Sequence, residues 1–392
     1  MRFFLTNCAE WKMISIPQFG DKGLNMGQVA SSPRVQFSVF KFFSTTKVLL
    51  ASAFLFSVCA SAAQNTSKED PHKALQIFFV DVEGGQATLF VTPAHQSLLI
   101  DTGWPDSDGR DADRIVAAAK KAGISKIDYV LITHFHADHV GGLPQLVARI
   151  PVGTVLDHGD NRESTDAPTV QGWQAYQQLL SEKKFKRMTL KPGDSLPIRG
   201  IETTVLSSDG AVIDHSLPGA GQENASCKGA ESYPADQTEN LRSLGTIFTF
   251  GKLRILDLGD LTRDKEMELV CPNNKIGAID IYIVSHHGWY QSNSPTFLNA
   301  IAPRIAIMDN GAKKGGTPSA WDIIEKSPRL QDLWQLHFSE EGGTAHNVAA
   351  DFIANPQGTD AGNYLELTAW PDGNFEVFNS RTSNAKHYSP QH

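Results

Sequence analysis

Ten consecutive residues constrain this 392-residue chain more than any others: Thr133-His134-Phe135-His136-Ala137-Asp138-His139-Val140-Gly141-Gly142. They put four potential metal donors, His134, His136, Asp138 and His139, within six positions. An apolar, strand-like run at 129–133 precedes them, and a helical pattern over 142–150 follows. Alternate side chains of an extended segment share a face, so His134 and His136 point the same way. The turn into a helix then brings Asp138 and His139 toward the same cavity. Imidazole and carboxylate at this density suit a pair of divalent cations. The spacing differs from the helical HExxH zinc site, where two histidines lie one turn apart.

Such a centre closes with donors from other elements. Asp260 follows a glycine at the end of an apolar run over 253–258, and His286-His287-Gly288 end the next run, 280–284. One histidine of this pair is a ligand candidate; the other is an acid/base or substrate-contact candidate. Asp257 lies inside its strand and reads as structural. His158 ends the run 152–157 and reads equally as a pocket residue or an outer one, whereas His215 reads as surface. His337 and His346 read as a packed and a loop histidine, with a pocket wall as the alternative.

Strand patterns recur at 75–82, 87–91 and 97–100, with Gly84-Gly85 marking a turn between the first two. Helical periodicity covers 111–122 and 170–184. A second strand set, 201–206, 244–250 and 253–258, is interrupted by a long polar segment, 207–239. Loops of that length are uncommon unless functional. Strands at 280–284 and 304–308, helices at 295–301 and 320–326, a segment at 333–338 and strands at 365–370 and 375–379 complete the pattern. Both halves open with strands and turn to strand–helix alternation. We therefore expect two sheets packed together with helices outside, in one domain over 66–392.

Residues 1–65 are set apart. Lys41 and Lys47 precede a short apolar run and the small residues Ala60-Ser61-Ala62, the pattern of a cleaved secretory signal. The run is too short for a convincing membrane span, so no stable span is expected after cleavage. The expected location is periplasmic or secreted. Without residues 1–62 the chain keeps 29 basic and 41 acidic residues, and the net charge moves from −8 to −12. No extended face for gripping nucleic acid is expected from that balance. Export leaves Cys227 and Cys271, and an oxidising compartment permits a bond between them, although their spacing neither supports nor forbids it. No GxSxG and no P-loop occur, so those chemistries lose their usual support.

The HFHADHVGG motif resembles that of the metallo-β-lactamase-fold hydrolase superfamily. So do the opening Phe79-Val80-Asp81-Val82 with Gly84-Gly85, Leu99-Ile100-Asp101-Thr102-Gly103, Asn240 to Leu244, Gly259-Asp260 and His286-His287-Gly288. More closely, these resemble the branch holding the hydrolase domain of the DNA-uptake protein ComEC/Rec2 and secreted phosphorylcholine esterases. The resemblance implies an α+β fold, a four-layer αβ/βα sandwich with metals at one sheet edge. It implies His134, His136, Asp138, His139, Asp260 and His286 as ligands of two divalent cations, zinc or else manganese. It makes Asp101 a carboxylate that orients one ligand imidazole. Asp138 and His287 are the expected catalytic residues. The chain departs from the pattern at Gln86, where related opening strands carry an acid. It has no clear match to the usual separate histidine between HxHxDH and the bridging aspartate.

The expected reaction is hydrolysis by metal-activated water, on a small-molecule phosphodiester or phosphoester. A β-lactamase- or lactonase-type acyl hydrolase is the enzymatic alternative. A catalytically silent binding module is the alternative outside enzymes.

Overall fold

The computed structural model describes residues 73–391, apart from 106 and 359. The expected leader lies outside them. The chain begins with β1 (Leu75–Phe79), β2 (Thr88–Val91) and β3 (Ser97–Ile100), then α1 (Arg110–Lys121) and β4 (Ile127–Leu131). The short helices α2 (Ala137–Val140) and α3 (Leu143–Val147) follow, then β5 (Val152–Asp157), α4 (Ala167–Ser181) and β6 (Lys186–Thr189). These six strands, with β15 (Leu365–Ala369), β16 (Phe375–Asn379) and β17 (Asn384–Tyr388), form one sheet ordered β17-β16-β15-β1-β2-β3-β4-β5-β6.

The second sheet is built from β7 (Glu202–Ser208), β8 (Ala211–Val212), β9 (Gly245–Phe250), β10 (Leu253–Asp257), β11 (Ile281–Ile283), β12 (Ile305–Met308), β13 (Asp332–His337) and β14 (Ile353–Asn355). Its order is β14-β13-β12-β11-β10-β9-β7-β8. The helices α5 (Arg263–Val270), α6 (Pro295–Ile301) and α7 (Pro318–Glu325) belong to this half.

Alternation along the strands makes the layers. Leu75, Ile77 and Phe79 of β1 face inward and share a core with Phe248, Ile255 and Ile281 of the other sheet. Phe90 and Phe248 stack across that interface with ring centroids 4.6 Å apart. Phe78 and Val80 point the other way, into a core with Ile115 and Ala119 of α1 and Tyr176 of α4. Leu256, Tyr282 and Ala306 likewise pack on Phe297 and Leu298 of α6 and Ile324 of α7. Helices therefore cover the outer face of each sheet, which is the αβ/βα sandwich the motifs imply.

Two differences from the sequence pattern have local causes. The helix expected over 170–184 starts earlier, at Ala167, because Asp166 caps it by accepting from Thr169 N at 2.9 Å and Pro168 sits in its first turn. The segment 207–239 is not wholly loop: β8 pairs with β7, and a Cys227–Cys271 disulfide ties the segment to the end of α5. No helix among the described residues is long and apolar enough to cross a membrane.

The pairing fixes where side chains gather. Strands β3, β4 and β5 run parallel, as do β10, β11, β12 and β13. Their C-terminal ends lie at one edge of each sheet. Leu244 N donates to Thr133 O at 2.8 Å, which brings these edges together.

Candidate metal centre

Asp101, just past β3, organises the first half of the site. One carboxylate oxygen accepts from Thr133 N at 2.8 Å. The other accepts from Thr133 Oγ1 at 2.6 Å and lies 2.7 Å from His139 Nδ1. The contact between Asp101 and Nδ1 aims His139 Nε2 into the site. Asp101 sits in the left-handed backbone region, at φ 58°. Such strain persists where surrounding bonds over-determine it. The motif is also crowded from outside: a Cβ on Gly85 would lie 2.4 Å from Asp138 O. Gly259, at φ +55°, would drive a Cβ to 2.8 Å from the Thr133 side chain.

The second half comes from the other sheet. Asp260 N receives no strand partner and instead donates to Ser243 Oγ at 3.2 Å. His286 and His287 follow β11 with consecutive left-handed φ values of 56° and 54°. His286 N donates to Gly259 O at 3.0 Å, and Gly316 N donates to His287 O at 2.8 Å. These bonds hold both residues in conformations that an unsupported histidine rarely adopts.

Asp260 lies at the middle of the donors. Its Oδ2 is 3.3 Å from His139 Nε2, 3.4 Å from His286 Nε2 and 3.9 Å from His134 Nε2, and its Oδ1 is 3.5 Å from His287 Nε2. Asp138 Oδ2 is 3.2 Å from His139 Nε2 and 3.3 Å from His287 Nε2. One donor atom each from Asp138, His139, Asp260 and His287 all lie within 4.8 Å of one another. His134 Nε2 and His136 Nδ1 face each other at 3.0 Å on the side reached through Asp260 Oδ2. Apart from the half-buried His136 the set is buried, and Asp260 Oδ1 has no hydrogen-bond partner. A buried carboxylate oxygen without a partner is costly, so this donor set fits divalent cations.

The charges agree. Burial alone would raise the Asp260 carboxyl, but His139, His286 and His287 outweigh it and hold it well below the usual range. Asp138 is held down in the same way against burial, by Lys314 and His139. Burial lowers the imidazoles, yet Asp260, Asp138 and Asp101 drive His139 well above its ordinary value. His287 is pushed up to about 10 against burial, by Asp260 and Asp309. His134 and His286 go down with burial, His286 to about 4. Protons on His139 and His287 thus offset the carboxylates, and a cation would replace them.

Both histidines of the HHG element reach Asp260: the expected ligand His286 through Nε2 at 3.4 Å, and His287, which belongs to the four-donor group, through Nε2 at 3.5 Å. His286 Nε2 faces Asp260, while its Nδ1 lies 3.3 Å from Ser292 Oγ. His158 stands behind the motif, with Nε2 2.9 Å from Glu239 Oε2 and its ring 5.1 Å from Phe135. It is not among the grouped donors. His215 is exposed. His337 is packed, and His346 lies beside Trp321. Asp257 accepts from Gln86 Nε2 at 2.5 Å and from Gly259 N at 2.9 Å, so it braces the turn before Asp260.

Three neighbours escape sequence reasoning. Glu163 Oε2 lies 3.1 Å from His136 Nε2 and accepts from Glu239 N at 2.9 Å. Asp309 Oδ1 lies 3.3 Å from His287 Nδ1. Lys314 Nζ contacts Asp138 Oδ2. Asp309 follows β12 directly and Asp260 lies three residues past β10, and that shared place after a parallel strand was the available signal. Glu163 and Lys314 sit in polar or glycine-rich loops that carry none.

Comparison with known proteins adds the following. Residues 80–237 match the family model described as the metallo-beta-lactamase superfamily. The chain is 30% identical over 108 residues to a hydroxyacylglutathione hydrolase of Rhodopseudomonas palustris strain HaA2, covering 28% of this chain and 34% of that protein. It is 25% identical over 150 residues to the same-named protein of strain BisB5, covering 38% and 45%. The chain therefore spans less than half the length of these relatives. A solved structure of the metallo-beta-lactamase fold protein YhfI from Bacillus subtilis aligns at TM-score 0.41 and 12% identity, over 67% of this chain and 96% of YhfI. The family match falls on the segment that supplies His134, His136, Asp138 and His139, and over residues 80–237 this chain is similar to the metallo-beta-lactamase superfamily.

Proposed function

We propose that this chain is a metal-dependent hydrolase that acts on a phosphodiester or phosphoester outside the cytoplasm. The observation that carries the hydrolase reading is the convergence of Asp138, His139, Asp260 and His287 donor atoms within 4.8 Å. His134, His136 and Asp260 would hold one divalent cation, zinc or manganese; Asp138, His139, His287 and the shared Asp260 would hold another. Bound there, such ions acidify a water molecule and stabilise developing negative charge.

The chain's own residues prepare the site. Asp101 fixes the His139 tautomer, and Glu163 orients His136 through Nε2. Burial keeps His286 neutral at pH 7, so its Nε2 lone pair is available to a ligand or a proton. Asp138 Oδ2 and His287 Nε2 meet at 3.3 Å and face one cavity, while His287 Nδ1 lies 3.3 Å from Asp309 Oδ1. Buried Phe135 and Leu261 flank the donors in sequence and keep water from their far side.

The phosphoester assignment draws on the motif resemblance to the ComEC/Rec2-like branch. An acyl substrate is the second reading, and the hydroxyacylglutathione hydrolase relatives favour it. Turnover of bis(p-nitrophenyl) phosphate, a glutathione thioester and a cephalosporin, with added zinc or manganese, separates the two. Preference for the diester supports the proposal. Turnover of the thioester or cephalosporin alone replaces it with acyl hydrolysis. No turnover and no bound metal would leave a silent binding module.

Export is part of the same proposal. The signal-like pattern before Ala62 supports it, and the Cys227–Cys271 disulfide suits an oxidising compartment. The N-terminal sequence of the protein recovered outside the cytoplasm tests it; retention of the whole chain in the cytoplasm would contradict it.

A further inference from the structure

We propose that Lys314 competes with a divalent cation for Asp138, so that the Asp138–His139–His287 side of the centre fills only by displacing this lysine. The inference rests on the metal-dependent reading above and adds an inequality between its two halves.

Lys314 belongs to the turn that follows β12 and closes over His287. Gly311 N donates to Lys314 O at 2.8 Å, and Gly316 N donates to His287 O at 2.8 Å. The position is built. A Cβ on Gly84 would come 2.8 Å from Lys314 Cβ, so only glycine leaves the lysine its path. The ammonium lies 4.9 Å from the centre of the Trp104 ring, which favours a cation over its face. The same ammonium contacts Asp138 Oδ2. That oxygen is the one facing His139 Nε2 at 3.2 Å and His287 Nε2 at 3.3 Å. An ammonium and a divalent cation cannot share it without direct repulsion.

The other half of the centre differs. His134 faces His136 and Asp260, and His136 is backed by the carboxylate of Glu163. Negative charge there favours a cation, and no lysine or arginine ion pair with Asp260 occurs among the described residues. The first ion should therefore settle on the His134–His136–Asp260 side. Lys314 is about a third exposed, at 31% of its side chain, so it can swing to solvent when the second ion enters.

Zinc titration of metal-free full-length protein, by competition with a chromophoric chelator, tests this. The wild type should bind in two steps, the second weaker. Lys314→Met should tighten the second step by at least about tenfold and leave the first unchanged, because one opposing charge is removed. Lys313→Met, at the exposed neighbour, should change neither step. Lys314→Gln provides a second variant should Lys314→Met melt at a lower temperature than wild type. A second step unchanged or weakened in the Lys314 variants overturns the competition and leaves the metal centre standing. No zinc bound by wild type or variant overturns the metal centre, and the competition with it.

Discussion

Two close groups of three or more histidine and carboxylate donors occur among the described residues, and they are finished differently. One joins Asp138, His139, Asp260 and His287; the other joins Asp81, Glu83 and His337. In the second, His337 Nε2 lies 2.6 Å from Asp81 Oδ1, and Arg114 Nη1 donates to Asp81 Oδ2 at 2.9 Å. Both Asp81 oxygens are engaged, and a permanent cation already balances the charge. In the first, Asp260 Oδ1 is buried with no hydrogen-bond partner. Donor number is therefore a poor guide to metal binding. What separates the groups is whether the protein has already satisfied its carboxylates.

The sharpest way to break this contrast is to remove the shared aspartate. Asp260→Ala should abolish hydrolysis, by at least about 1000-fold in kcat/KM, and should strip metal from both halves of the centre. Elemental analysis beside the rate measurement checks it. Normal metal content would remove Asp260 from its shared position.

His337→Ala is the converse experiment. It leaves buried Asp81 with Arg114 and the Glu83 N–H and should cost about 3 kcal/mol in denaturant unfolding. Metal content should not change. Loss of metal with little loss of stability would reverse the roles assigned to the two groups.

Asp101→Asn sharpens the contrast by weakening only the support of His139. Zinc affinity should fall by about 10- to 100-fold, while the fold survives. A chelator competition that shows no change would mean that Asp101 only braces Thr133.

A further effect is in pH. His287 is pushed up to about 10 from an ordinary 6.5, so its protonated form stabilises the metal-free fold. That contribution is complete below about pH 6.5 and disappears as pH rises through 10. Metal-free protein should therefore melt at progressively lower temperature from pH 6.5 to 10. Zinc should bind more tightly over the same range, since its ligands must lose protons. A flat melting profile would contradict the proton count.

The parts of the centre that were legible in sequence are those set by local geometry. His134 to His139 lie in one strand-to-helix turn, and their spacing alone puts four donors on one side. Asp260 was visible because a glycine follows the apolar run that ends β10. The left-handed turn that presents both His286 and His287 was not, since it is held by bonds from the neighbouring turn. Lys314 sits in a run of glycine and lysine that reads as a solvated loop. The place of Gln86 becomes clear only in three dimensions: it donates to Asp257, where an acid would have met a second carboxylate.

The fold shows the same division. Strands with an apolar face, such as β1 and β12, stand out in the pattern. Strands β6 and β17 do not, because they are sheet edges whose residues are mostly exposed and polar. Helix α5 is hidden for a similar reason. Its charged sequence Arg-Asp-Lys-Glu buries Glu266, which accepts from Asn293 N at 2.6 Å and Ser294 N at 2.8 Å.

Anomalous diffraction at the zinc edge, from crystals of the zinc-loaded protein, distinguishes the two groups most directly. Peaks bounded by His134, His136 and Asp260 and, at excess zinc, by Asp138, His139, Asp260 and His287, with none beside Asp81, Glu83 and His337, are the predicted result. A peak only at the Asp81 group, or none at either, would contradict it.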